Sequence, residues 1–382
     1  MSALHFENDS SNEPFPLFIH RDIYQIGICS FFMFTIIIVS ILGNIAVILA
    51  IYKTPTLKED VSNIFLINLS TADLFSAIFV MPYSSLALIS DDWLFGTKWC
   101  SAQCALNYCC IIVSMVTLSF ISIDRQFVIV YPLQFSSIMT KKRIYILISY
   151  TWISGVAFAI VPLFGRWVVY DYWEIVCAIA WDSYRDKGGL TYVIVAFIVC
   201  FMIPAIVMTI CYIRIYREVT RHYKRRLEHQ QHHIGIEQLN EQRKILVSFS
   251  VIVLMFFFCT TPFCVTKVIK IFISSDAIHN WINVMATYMQ YLASATNPFI
   301  YGIFRSDFRT AFLKILSKTR RNSNQVHHAN ETNNKGTKTG IVCYKDDQVP
   351  QLTPTSLFIY NRKFDSVNTA RNLNIGNEIK YI

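Results

Sequence analysis

Apolar residues run along this chain in long blocks, not in short periodic clusters. Seven blocks stand out: Tyr24 to Lys53, Val61 to Ser90, Cys100 to Tyr131, Arg143 to Phe164, Leu190 to Arg217, Lys244 to Ile273 and Trp281 to Phe304. A helix needs about 20 mostly apolar residues to cross a bilayer, so each block predicts one spanning helix. After the seventh, Phe308, Phe312, Leu313 and Leu316 interleave with Arg309, Thr310 and Lys314. That spacing predicts a helix lying on the membrane surface. The fold class is therefore all-α and membrane-embedded: a seven-transmembrane helix bundle over 24–304 with a short amphipathic eighth helix over 305–316. Residues 317–382 are rich in Asn, Thr, Ser and Lys without a sustained period, and read as a disordered tail. No internal repeat and no soluble domain is visible.

Composition agrees. Of 382 residues, 54% are hydrophobic and 15% charged, a balance soluble domains rarely have. Polar residues fill positions 7 to 13 and the first apolar run is too long for a signal-peptide core, so a cleavable signal peptide is not expected. Lys and Arg mark the cytoplasmic ends of spanning helices. With residues 1–23 as an extracellular tail, one side collects Lys53, Lys58, Arg125, Lys141, Lys142, Arg143, the basic run Arg214 to Arg226, Arg243, Lys244 and Arg305 to Arg321. The other side carries Glu7, Asp9, Glu13, Asp22, Asp91 and Asp92. The expected placement is the plasma membrane, N-terminus outside and C-terminus in the cytoplasm. The formal charge of +9 then belongs to anionic membrane lipid and not to nucleic acid.

Two features fit an oxidising outer side. Asn8-Asp9-Ser10 is a glycosylation acceptor in the outer tail. A second sequon at Asn68 lies inside an apolar block and is inaccessible. Of eleven cysteines, most fall inside blocks and are packing residues. Cys100 opens the third helix on the outer side, and Cys177 lies in the loop between the fourth and fifth. A disulfide between them would pin that loop across the bundle mouth. Cys104, one turn deeper, is the alternative partner. His222, His229, His232 and His233 fall in the loop before the sixth block, where a solvated loop is the simpler reading than a metal or pH site.

Polar residues inside apolar blocks are expensive and tend to mark function. Asp124-Arg125-Gln126 stands at the cytoplasmic end of the third block, the remainder of which is uncharged. Asp73 lies about 18 Å into the second helix at the helical rise. Ser114, Ser294, Asn297 and Asn44 fall at depths that let them cluster with it. Such oxygens suit a hard cation, with sodium and water the candidates, and a protonated or water-bridged Asp73 the alternative. Prolines 162, 204, 262 and 298 free backbone carbonyls and permit kinks. Asn297 sits beside one such break, and Tyr212 and Tyr301 lie near the inner end, where they can join a water-bridged network.

Taken in order and spacing, these residues resemble the rhodopsin-like (class A) G-protein-coupled receptors. The resemblance covers Tyr24 to Leu316. It is carried by Gly43-Asn44, Asn68-Leu69-Ser70-Thr71-Ala72-Asp73-Leu74, Cys100, Asp124-Arg125-Gln126, Trp152, Pro204, Tyr212, Phe256-x-x-Cys259-x-x-Pro262 and Asn297-Pro298-Phe299-Ile300-Tyr301. It implies that an extracellular agonist shifts helices five to seven and swings the inner end of helix six outward. Arg125 then leaves Asp124 to meet a heterotrimeric G protein, with Pro132-Leu133 as a further contact. Met115, Pro204 and Phe256 match the packing triad that couples pocket to helix six. Arrestin and receptor kinases are implied partners, with Ser317, Thr319, Ser323, Thr353, Thr355 and Ser356 available for phosphorylation. Gln126 replaces the usual Tyr. Gln242 stands where many relatives have a Glu paired with the arginine, and Thr260 where they have the Trp of the pocket floor. Both departures imply a loosely held closed state and raised basal activity.

The resemblance also constrains the ligand. Amine receptors carry an aspartate at the place of Asn107, and catechol receptors carry serines where Ala196, Phe197 and Cys200 stand. The run from Pro162 to Cys177 and Trp181 resembles opsins and several orphan receptors of the amine–opsin branch. Opsins need a helix-seven lysine, where this chain has Tyr291, so no covalent retinal is expected. The expected pocket lining is Tyr83, Asn107, Tyr108, Phe263, Cys264, Lys267, Thr287 and Tyr291, a mostly aromatic wall suited to a small organic ligand. Lys267 can meet an anionic ligand group, although snorkelling of Lys267 and Lys270 to the outer interface is the preferred reading. Alternatives are a non-covalent opsin-related or amine-like receptor and, in a different class, a transporter or channel, whose paired broken helices are not visible. No nucleophile–base set or metal-ligand motif suggests an enzyme.

Overall fold

The computed structural model describes residues 21–180, 188–228, 234–274, 277–315 and 317, apart from the side chains of Ser136 and residues 222–246. Asn8, His229, His232, His233, Leu316 and the tail sites from Thr319 onward lie outside the described residues, as do the side chains of Gln242 and His222. The first pass is α1 (Ile23–Lys53), followed by a short α2 (Pro55–Glu59). The second pass is two helices, α3 (Asn63–Phe79) and α4 (Met81–Ser90). The break at Val80 follows from Pro82, which has no N–H to give to the preceding turn. α5 (Gly96–Val130) is the third pass, α6 (Pro132–Ile138) a connection, and α7 (Lys141–Phe164) the fourth. An antiparallel hairpin follows, β1 (Val168–Asp171) against β2 (Val176–Ile179), with Asp171 opposite Val176. The fifth pass runs through α8 (Leu190–Phe197), a π-helical turn (Ile198–Met202) and α9 (Ile203–Glu228). α10 (Ile234–Phe272) and α11 (Asn280–Phe304) complete seven passes, and α12 covers 306–315.

Six of these passes are long and apolar enough to cross a membrane among the described residues, and α11 falls short on apolarity alone. Its buried face carries Asn283, Thr287, Gln290, Ser294 and Asn297, so its polarity points into the bundle and not at lipid. Large apolar side chains such as Phe32, Ile153, Leu254 and Ile303 face outward. That arrangement is stable in lipid, where backbone groups must be satisfied within helices.

Motif residues pin neighbouring passes together. Asn68 on α3 donates to Thr117 Oγ1 on α5 at 2.8 Å and accepts from Trp152 Nε1 on α7 at 2.8 Å. This explains the buried second sequon. Gly43 lets α1 approach α11: a Cβ there would stand 2.7 Å from Pro298 Cγ. Asn44 Nδ2 then donates to the carbonyl of Ser294 at 3.0 Å. The Gly43-Asn44 and Asn297-Pro298 motifs are two sides of one contact. The largest apolar cluster includes Phe65, Leu69, Met115, Leu118, Phe249, Phe256, Tyr301 and Phe308, and lies toward the Arg125 end.

Candidate functional site

At one end of the bundle the hairpin is fastened on several sides. Cys100 and Cys177 form a disulfide that ties β2 to the start of α5, while Cys104 is a buried free thiol. Glu174, in the hairpin turn, is buried and ion-paired to Lys267. Lys270 Nζ lies 2.6 Å from both Asp171 Oδ2 and Glu174 Oε1. Across the turn Arg21 pairs with Asp91 at 3.0 Å, and Tyr172 donates to the same carboxylate at 2.6 Å. Neither lysine snorkels: Lys267 is 7% exposed and Lys270 4%, because the hairpin supplies their counter-charges. Burial drives Glu174 toward its neutral form, but the two ammonium groups outweigh it and hold the carboxyl below its usual range. Sequence reasoning missed Asp171, Glu174 and Arg21. Two lysines three apart in an apolar block, and two acids three apart just before Cys177, were the available signal.

Beneath the hairpin lies a cavity of about 120 Å³. It is lined by Tyr108, Phe263, Cys264 and Lys267 from the expected set, joined by Ile112, Met115, Ile179, Phe197, Phe201, Phe256 and Thr260. The other four expected residues stand outside this lining. Tyr83 packs on Phe95 and Trp99 at 5.1 and 4.7 Å between ring centroids. Thr287 bonds its own helix at Asn283, and Asn107 is buried. Tyr291 shares a 3.0 Å hydrogen bond with Ser84, which accepts from Gln103 Nε2 at 3.0 Å. Gln103 Oε1 in turn accepts from the Cys177 N–H at 3.0 Å, so this polar chain ties α11 to the hairpin.

A second, smaller cavity of about 20 Å³ lies next to the first. Asp73, Ser76, Ser114, Gln290 and Ser294 line it, and Phe256 and Thr260 border both cavities. Asn297 Nδ2 donates to Asp73 Oδ2 at 2.9 Å, so Asp73, Ser114, Ser294 and Asn297 of the expected cluster come together with Ser76 and Gln290 as additions, while Asn44 stands outside the lining and donates to the Ser40 and Ser294 carbonyls. Thr260 is too short to seal the floor between the two cavities.

At the opposite end Asp124 and Arg125 are both buried, and Arg125 Nε donates to Asp124 Oδ2 at 2.9 Å. The Arg125 guanidinium also lies over the Phe249 ring of α10, 4.6 Å from its centroid. A second buried arginine, Arg305, lies 5.7 Å from the same ring and bonds Asn63 Oδ1 at 3.3 Å and Asp307 at 2.6 Å. The sequence counted Arg305 only among the basic residues of the cytoplasmic side, with no sign of its burial. Leu133 of α6 is 95% exposed beside this end.

The description "7 transmembrane receptor (rhodopsin family)" matches residues 43–301, more than half of the chain. The chain belongs to the rhodopsin family of seven-transmembrane receptors. The octopamine receptor beta-1R of Drosophila melanogaster is 28% identical, over 74% of this chain and 60% of its own length. The D(5)-like dopamine receptor of Takifugu rubripes is 28% identical over 84% of this chain and 72% of its own. The 5-hydroxytryptamine receptor 4 of Homo sapiens is 26% identical over 75% and 78%. In fold it resembles squid rhodopsin, with TM-score 0.71 and 24% identity over 79% of this chain and 88% of that one.

As a rhodopsin-family receptor, the chain is a G-protein-coupled, multi-pass membrane protein. The residues expected to couple fall at the Arg125 end. Gln126 is buried beside the pair and Tyr301 is buried with its ring stacked on Phe308, 5.4 Å away. Tyr212 lines the cleft between α9 and α10. Pro132 starts α6, and Gln242 lies in α10. The residues expected as a relay lie between the two ends: Met115 and Phe256 share the large apolar cluster, Pro204 follows the π turn, and Pro262 interrupts α10 just past Thr260. Local looseness at a π turn and a proline is where a helix bends most readily.

Proposed function

We propose that this receptor lies in the plasma membrane with the hairpin end outside and the Arg125 end in the cytosol. It takes a small, mostly apolar ligand in the larger cavity and transmits its binding to a heterotrimeric G protein. The observation that carries this reading is the shared wall. Phe256 and Thr260 line the cavity on the same helix that places Phe249 against Arg125. A ligand that favours a moved α10 therefore biases the coupling end by its differential affinity for the two states. Purified receptor in lipid nanodiscs is expected to speed guanine-nucleotide exchange on G-protein heterotrimers. Absence of receptor-dependent exchange, with solute or ion flux in vesicles instead, would favour a transporter or channel.

Named relatives are receptors for octopamine, dopamine and serotonin, which favours an amine as the second reading. Charge argues against it. Among the described residues the buried carboxylates are Asp73, Asp124 and Glu174. Asp124 lies at the opposite end, Asp73 lines the adjoining smaller cavity and accepts from Asn297, and two lysines hold Glu174. An ammonium group entering it would meet Lys267 and no unengaged carboxylate.

The smaller cavity is proposed as an allosteric sodium site. Its volume accommodates roughly one water or ion, and oxygens dominate its polar lining. Among the described residues, Ser76 Oγ and Gln290 Oε1 are buried oxygens without hydrogen-bond partners, and their lone pairs suit a hard cation. Replacing sodium by choline should lower the thermal stability of the receptor and not that of Asp73→Asn. Arrestin and receptor kinases are proposed as further partners of the tail, and basal exchange is expected above that of receptor-free membranes.

A further inference from the structure

Among the described residues Lys267 is the single charged one in the lining of the larger cavity, and its counter-ion comes from the hairpin. We propose that the cavity binds an apolar molecule bearing one carboxylate, and that Glu174 holds the place of that carboxylate on Lys267 in the ligand-free chain. The inference rests on the reading of this cavity as the ligand site.

Three observations converge. The wall around Lys267 is aromatic and aliphatic, with Phe263 beneath the ammonium at 4.5 Å from ring centroid to Nζ. A hydrocarbon body fits such a wall and a second charge does not. Tyr108 adds a buried hydroxyl with no hydrogen-bond partner among the described residues to the same lining, a donor for a ligand carboxylate once Glu174 leaves Lys267. Tyr192, the other tyrosine there, is spoken for by the Phe158 carbonyl at 2.7 Å.

Glu174 can yield without being stranded. Lys270 pairs with it at 2.6 Å and with Asp171 at the same distance, so a displaced Glu174 keeps one ammonium. Among the described residues, two lysines against two acids make the ligand-free cluster neutral. An incoming carboxylate leaves it one negative charge in excess, and affinity in the native chain is held down accordingly. Neutralising Glu174 reverses the balance: the cluster carries one positive charge, and the ligand's carboxylate cancels it. The hairpin acid is thus a tethered competitor, and its removal should raise affinity for acids specifically.

The test uses full-length receptor in nanodiscs and three probes of one chain length: octanoate, its methyl ester and octylamine. The preference for octanoate over the ester should rise at least ten-fold in Glu174→Gln and vanish in Lys267→Gln. Asp171→Asn, which unbalances the cluster with the same sign, should raise it too and serves if Glu174→Gln does not fold. An acid-over-ester ratio that stays at its native value in these variants, or a preference for octylamine, overturns the proposal. If no probe binds and filling the floor with Thr260→Trp changes nothing, the larger cavity is not the ligand site and both readings fall.

Discussion

Both ends of the bundle hold buried cations with carboxylates and rings, but in different proportions. At the hairpin end, Lys267 and Lys270 meet Glu174 and Asp171 one for one, and a disulfide fixes the strand beside them. At the other end, Arg125 and Arg305 flank one ring, Phe249, with Asp124 and the partly exposed Asp307 as their carboxylates. Ion pairs in low dielectric are stiff and break only at high cost. A cation over a ring contributes about 0.5–2 kcal/mol and tolerates sliding. One end is built to stay shut until something replaces its charges, the other to open once α10 moves.

Removing the disulfide should break this contrast most severely. It closes a loop with 77 residues of sequence separation, and constraint on the unfolded chain is then worth about 4 kcal/mol in the entropic model. Cys100→Ala is expected to lower the melting temperature sharply and abolish ligand protection, while Cys104→Ala should leave both near the native values. Equal loss in the two variants would mean that cysteine packing and not the bridge holds the hairpin.

The ion pair comes next. Lys267→Met leaves Glu174 its second lysine, whereas Glu174→Met leaves Lys267 buried without its acid partner. The second change should cost about 3 kcal/mol or more, and the double variant less than Glu174→Met alone. A thermal-unfolding cycle measures this. Additive costs would show that the two side chains do not act as a pair.

The seven passes were legible because bilayer crossing leaves a long apolar signature in six of them. α11 was also found, although its buried polar face dilutes that signature. The break at Val80 was missed although Pro82 announced it. The Asp73 cluster could be read from depth along each helix, since spanning helices run nearly parallel. The pocket was half legible for a different reason. Tyr108 and Lys267 turn toward the cavity, whereas Tyr291 and Thr287 point into other contacts, and helix rotation is set by packing that depth alone does not reveal. The hairpin acids were invisible because their role depends on a loop folding back over a helix. Phe249 was unreadable in the same way: an aromatic in an apolar block gives no sign that two arginines, one from α5 and one from beyond α11, will close on it.

At the Arg125 end, Phe249→Leu is the sharper probe because it keeps an apolar side chain and deletes the ring. Loss of the contact to Arg125 should shift the closed-to-open balance by about 1 kcal/mol, roughly a five-fold rise in basal nucleotide exchange. Gln242→Glu, which restores the acid that many relatives pair with the arginine, should suppress the rise. Unchanged basal exchange in Phe249→Leu would move the latch elsewhere.

The smallest expected effect is of pH at the hairpin. Glu174 is held below the usual carboxylate range, so its contribution is present above that range and fades only as pH falls through the lowered value. Between about pH 5 and 8 the carboxyl stays ionised, and hairpin amide exchange, corrected for its intrinsic pH dependence, should be flat. Protection should drop only at more acidic pH, and the drop should disappear in Glu174→Gln. A loss of protection already at pH 6 would mean that Glu174 is not held by both lysines, and the hairpin end would then be no stiffer a latch than the end that opens.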